Sequence, residues 1–284
     1  MRRLDPRTDV EPVDAVLTAA YGRPSWRADL EDHLALQPDG WFVAQEGDGV
    51  VAVGGATDYG PFGWIGLVGV LPAARRRGLG RLVTTRCVEF LAERGSVPVL
   101  DASDLGAGLY RHMGFTDVGP TRELVAPAVV APALVGARVA GGDLDVRPLP
   151  GAALSPELVA YDTAAFGADR RRVLDRLVRR TGPGRCLVAR RGPVVVGYVL
   201  ALGERLGPWV ADDADVVRAL AAAGAALPFP APPRVQVPPD TEHLPVLEEL
   251  GFTPTRTLRH MRLGETELPG RRSRTVGEAS YALG

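Results

Sequence analysis

Two stretches of the chain carry one pattern twice. WFVAQEGDGVVAVGGA, from Trp41 to Ala56, is matched by CLVARRGPVVVGYVLA, from Cys186 to Ala201. HMGFTDV around Gly114 is matched by ELGFTPT around Gly251. Order and spacing are kept, so the repeating unit is a domain, too long for a solenoid repeat. A duplication of this kind confines the chain to two copies of one architecture, and 284 residues are enough to give each a core.

The first copy reads as alternating elements. DVEPVDAVLTAAYG, from Asp9, has helical spacing, and SWRADLEDHLAL makes a second helix with Ser25 as its cap. WFVAQ, VVAVGGA and WIGLVGVL read as strands divided by EGDG and DYGPFG turns. A long helix through Leu91 follows, then the strand VPVLDA, the helix DLGAGLYRHMG ending at Gly114, and the strand FTDVGPTRELV. The expected organisation is a first domain over 1–126, a Pro- and Ala-rich linker over 127–143, a second domain over 144–264 and a loose tail over 265–284.

Composition excludes several chemistries. There is no lysine, so Schiff-base and pyridoxal phosphate enzymes and a Walker motif are ruled out. The net charge of −1 argues against a nucleic-acid binder driven by bulk charge. Cys87 and Cys186 stand alone in apolar segments and read as core filler. His33, His112, His243 and His260 form no metal-binding spacing, so no metal is expected. MRRLDPRTDVEP has no apolar stretch after its basic start, and the longest apolar run, Leu124 to Ala137, is broken by Pro127 and Pro132. A cytoplasmic protein without membrane or nucleic-acid partners is expected.

LPAARRRGLGRLV, from Leu71 to Val83, joins a strand to a helix. Such a turn presents free backbone N–H groups at the positive end of the helix dipole. Gly78 and Gly80 let an anion approach the main chain, and Arg75, Arg76, Arg77 and Arg81 add positive charge. Arginine at a helix start opposes the dipole, where a structural cap would be Asp or Ser. The pattern therefore reads either as a pyrophosphate cradle or as a solvated basic cap.

Val70-x-Pro72-x-x-Arg75-Arg76-Arg77-Gly78-Leu79-Gly80 resembles the acetyl-CoA motif of the GCN5-related N-acetyltransferase (GNAT) superfamily: Arg or Gln, two residues, Gly, one residue, then Gly or Ala. LDASDLGAGLYRHMGF, Leu100 to Phe115, resembles the same family's later strand and helix, which end in Leu-Tyr, three residues and Gly-Phe. The order of an intact first domain and a divergent second one resembles the tandem bacterial type. The resemblance implies an α/β (α+β) chain of two tandem GNAT folds, each a mixed, mostly antiparallel central sheet flanked by helices. It implies acetyl-CoA as cosubstrate. The backbone of Val68 and Val70 would hold the pantetheine arm and thioester carbonyl. The amides of Arg76, Arg77, Gly78, Gly80 and Arg81, with Arg75 beside them, would hold the pyrophosphate. Ser103 stands where many relatives place an Asn facing the cofactor, and Gly106 where a small Ala is usual.

The implied activity is N-acetyl transfer to an amine of a small molecule by direct attack on the thioester. The Val68 N–H would polarise the carbonyl, and Tyr110 would be the acid for the departing thiol. The bland alternative for Tyr110 is an amphipathic-helix tyrosine with a wet tip. Some relatives carry a Glu six residues ahead of the Val70 position; here Trp64 stands there. Asp58 and Tyr59 could face the acceptor, and Asp29, Glu31 and Asp32 could attract an ammonium; each also reads as a surface residue. A non-catalytic acyl-CoA sensor is the alternative function, and monomer and homodimer both stay open.

The second copy departs from the motif. Asp212, Asp213 and Asp215 stand at the place of the arginine-glycine turn, as good helix caps that repel a pyrophosphate. No Leu-Tyr precedes Gly251-Phe252. This domain is expected to bind no coenzyme A in the same way.

Overall fold

Strand pairing repeats with the sequence: in each copy a set of antiparallel hairpins ends in one parallel pair. The structure, a computed structural model, describes residues 1–127, 144–151 and 153–284. All but the first residue of the expected linker lies outside the described residues. Among them, no helix is long and apolar enough to cross a membrane.

The first compact unit comprises Met1–Asp117, Met261–Glu267 and Leu283. Its elements are β1 (Arg2–Arg3), α1 (Val10–Tyr21), α2 (Arg27–Leu36), β2 (Trp41–Glu46), β3 (Gly49–Asp58), β4 (Phe62–Val70), α3 (Leu79–Ala92), β5 (Val97–Ala102), α4 (Asp104–His112) and the start of β6 (Phe115–Val125). Neighbours β1 to β4 pair antiparallel, and β4 pairs parallel with β5. Helical spacing puts Val13, Val16 and Leu17 of α1 on one face, which is buried in a cluster with Leu30, Trp41 and Val53. α3 buries Cys87, Phe90 and Leu91 in a cluster with Ile65, Leu100 and Tyr110. A Cβ at Gly55 would stand 2.4 Å from the Trp41 ring, so the buried indole requires that glycine. α2 starts with Trp26, not Ser25, in the cap position; the Arg27 N–H still donates to Ser25 Oγ at 3.2 Å.

The second unit comprises Val118–His260, Leu268–Ala282 and Gly284. It contains β7 (Leu144–Pro148), α5 (Pro156–Phe166), α6 (Arg171–Thr181), β8 (Cys186–Arg191), β9 (Val194–Leu202), β10 (Arg205–Ala211), α7 (Ala214–Ala225), β11 (Arg234–Val237), α8 (Leu244–Glu249), most of β12 (Thr253–Leu263) and β13 (Thr275–Gly277). β7 to β11 pair in the order and sense of β1 to β5. The far end of β6, Arg122–Val125, then pairs antiparallel with β11.

Two expectations change. The units do not divide at 126 and 144: they change at 117–118, and Met261–Glu267 belongs to the first unit. The cause is packing, since Met261 is fully buried with Phe115, Leu100 and Tyr110. The tail is not loose either. β13 pairs with β10, and Val276 is fully buried in the second core.

Candidate active site

β4 is the strand on which the site is built. Its register with β3 runs Val53↔Gly69 and then Gly55↔Gly66, so β4 carries one extra residue there. This is a β-bulge, with Leu67 at φ 51°, an unusual conformation for a non-glycine residue. Pairing with β5 covers Phe62, Gly63 and Trp64 only. Beyond Trp64 the edge of β4 has no ladder partner on that side. The Leu71 N–H donates to the Val51 carbonyl at 2.9 Å, which fixes the alternation: Leu71 and Gly69 turn toward β3, and the peptide groups of Val70 and Val68 turn toward the gap. Tyr21, the last residue of α1, donates its hydroxyl to the Val68 carbonyl at 2.7 Å. Arg75 Nε lies at the long limit, 3.4 Å, from the Val70 carbonyl.

The arginine-glycine turn follows. A short 3₁₀ turn, Pro72–Ala74, leads into extended Arg75, then Arg76 at φ 63° and Gly78 at φ 78°. No side chain caps α3, and its first turn holds no acid. The first hydrogen bond that closes this turn runs from the Leu82 N–H to the Gly78 carbonyl, at 3.0 Å. The amides before it point out of the helix start, where partial positive charge collects. A Cβ at Gly80 would meet only Leu109 and Val70, at ordinary contact distances, so the protein's own packing does not demand a glycine there. Arg75, Arg76 and Arg81 are exposed. Arg77 is not free: both guanidinium nitrogens reach Glu46 at the end of β2, at 2.8 and 2.9 Å. Its amide, not its charge, is what it brings to the turn.

Tyr110 projects from α4 into the same core and is buried. It packs edge-on to Phe115, at 5.9 Å between ring centroids. Gly106 makes room: a Cβ there would lie 3.0 Å from the Tyr110 ring. Burial pushes the phenol well above its usual range, with the neighbouring Tyr21 and Cys87 adding to the rise and Thr84 offsetting part of it. The group is therefore a protonated donor across the physiological range. Thr84 in turn donates its hydroxyl to the Gly80 carbonyl at 2.8 Å, which ties the phenol's surroundings to the first turn of α3.

The remaining expected residues divide. Ser103 is the α4 N-cap, its Oγ accepting from the Gly106 N–H. Asp29 pairs with Arg23, and Glu31 pairs with Arg27 one turn back on the exposed face of α2. Asp32 is buried and does not offer its charge at a surface. Asp58 is held in its turn, accepting from the Gly60 N–H and from Ser96 Oγ. Tyr59 is buried and donates to the Leu283 carbonyl at 2.8 Å. Trp64 is fully buried in the core. Asp32, Asp58, Tyr59 and Trp64 are thus parts of the fold, not of an acceptor surface. Tyr21 and Thr84 were not expected. Neither lies in a motif, and only the bulge and helix packing bring them here.

The second unit has the same strand and a different end. β10 is also bulged, its register with β9 shifting between Leu206 and Trp209. Eight residues separate β4 from α3, but only Asp212 and Asp213 separate β10 from α7. Asp213 caps α7, accepting from the Asp215 and Val216 N–H groups at 3.1 Å. β13 pairs with β10 at Trp209 and Val210, and the next residue, Glu278, donates its N–H to Gln236 of β11 at 2.8 Å. The chain's own backbone thus lies between β10 and β11. Spacing from Gly251-Phe252 puts Leu247, fully buried, where Tyr110 stands in the first unit.

Comparison with known proteins agrees with both halves. Residues 11–115 match the acetyltransferase (GNAT) family model, and residues 158–277 match a second acetyltransferase (GNAT) domain model. The chain is 27% identical over 247 residues to the uncharacterized N-acetyltransferase YitH of Bacillus subtilis, covering 81% of each protein. Among solved structures, a putative acetyltransferase from Pyrococcus horikoshii superposes with a TM-score of 0.85 at 28% identity, over 100% of this chain and 95% of that one. A GCN5-related N-acetyltransferase from Kribbella flavida aligns with a TM-score of 0.60 at 20% identity, over 92% of this chain and 69% of that one.

Proposed function

Because the chain belongs to the GNAT acetyltransferase family in both of its units, we propose that the first unit transfers an acetyl group from acetyl-CoA to a primary amine of a small molecule. The observation that carries this reading is the course of β4. Its edge is unpaired beyond Trp64 and leads within one turn into an uncapped helix start flanked by arginines. That is a groove for an extended amide-bearing arm ending at a site for a diphosphate. The residues fit the ligand: Val68 and Val70 present peptide groups to the arm, and the amides from Arg76 to Arg81 face the phosphates.

Acetyl-CoA supplies an activated thioester. The Val68 N–H donates to the carbonyl oxygen as negative charge grows there. The neutral amine forms the new C–N bond as the C–S bond breaks. Tyr110 gives its proton to the departing sulfur, and the proton lost by nitrogen passes to solvent and restores the phenol. Free thiol and amide are the products, so atoms and charge balance.

Calorimetric titration with acetyl-CoA and thiol release with an amine panel test the reading. Binding with amine-dependent release of CoA is expected. Binding without release under any amine would make the protein an acyl-CoA sensor, and no binding would remove the groove altogether.

A further inference from the structure

The Tyr21 hydroxyl is not used by the reaction as described. It sits on the bulge carbonyl of Val68 at 2.7 Å, yet the side chain is 44% exposed. Its ring rests against Trp26 at 5.3 Å between centroids, and Arg23 covers the far side of that indole at 4.4 Å. The phenol is close enough to Tyr110 to act on it electrostatically. Two phenols, from α1 and α4, therefore flank the Val68 stretch, one buried and one open to solvent.

A backbone carbonyl only accepts, so Tyr21 must donate its single proton to Val68. Its own oxygen is left able only to accept, and half of the side chain faces outward. A group that arrives there must bring an N–H or O–H. We propose that Tyr21 is an acceptor-binding residue: its oxygen takes an N–H from the incoming primary amine and holds the nitrogen beside Val68. The inference rests on the acetyl-transfer reading of the same groove. It adds that the site requires a hydrogen-bearing nitrogen and recognises it through a side chain of α1. Tyr21 gives up no proton in the step.

The test is Tyr21→Phe, which keeps the ring against Trp26 and removes one oxygen. The full chain is used, with butylamine and benzylamine as probes, saturating acetyl-CoA and thiol release as the readout. The expected result is a rise of about tenfold in the amine KM, or an equal fall in kcat/KM for amine, while the acetyl-CoA Kd and the melting temperature stay unchanged. A merely structural bond would instead move the acetyl-CoA Kd and the melting temperature together, which overturns the inference. Unchanged amine kinetics overturn it too, as does a wild-type protein that binds acetyl-CoA and acetylates neither probe. Wild-type protein that fails to bind acetyl-CoA would fail the underlying reading, and the binding measurement tells that failure from the others.

Discussion

The two turns that leave the fourth strand of each copy began as one and now do opposite things. After β4, eight residues open a loop whose glycines and arginines leave the helix start uncapped. After β10, two aspartates close the same corner, and Asp213 takes the amides that would otherwise face a ligand. The shared bulge shows that the strand is older than either use. A helix N-terminus can be satisfied from within or from outside, and one fold illustrates both solutions.

The largest effect that would break this contrast lies at the phenol. Tyr110→Phe should cut kcat by about a hundredfold or more, with the acetyl-CoA Kd little changed. Single-turnover thiol release decides it, and unchanged turnover would take Tyr110 out of the acid role. Gly80→Asp comes next. A carboxylate at the first turn of α3 suits the dipole and meets no clash, but it repels a diphosphate. Acetyl-CoA should bind at least about tenfold more weakly by calorimetry while the melting temperature holds or rises slightly. A fall in both would mean that the turn is only structural.

The pH profile sharpens the comparison further. Since burial first of all keeps Tyr110 protonated past the usual phenol value of about 10, the rate should climb as the amine loses its proton. No descending limb should follow below about pH 10, where an exposed phenol would begin to ionise. The smallest effect belongs to the other corner. Asp213→Ala should cost about 1 kcal/mol of stability in denaturant melts and leave acetyl-CoA binding untouched. Burial would raise this carboxyl's pKa, but the Arg191 side chain and the Val216 amide hold it below its ordinary value. Its contribution is thus present at neutral pH and fades as acid protonates it.

Much of this was legible in the sequence because it depends on local pattern. The duplication, the strand-turn-helix at Arg75–Gly80 and the Leu-Tyr helix each need only neighbours to be recognised. The two aspartates after β10 read as caps for the same reason. What stayed hidden depends on packing across long separations. Nothing near Tyr21 says that its hydroxyl meets Val68, 47 positions on. Asp58 and Tyr59 read as exposed turn residues until Ser96 and the Leu283 carbonyl are seen to hold them. The last stretch, polar and rich in arginine, gives no hint that Val276 is core.

That buried strand carries a consequence for how the molecule counts its ligands. In the rear copy, a stretch of polypeptide already runs where a cosubstrate would have to thread, hydrogen-bonded on both flanks. Doubling the gene segment therefore did not double the capacity: saturation should come at one equivalent per chain. A compound shaped to fit the front slot would find no second home in the same protein.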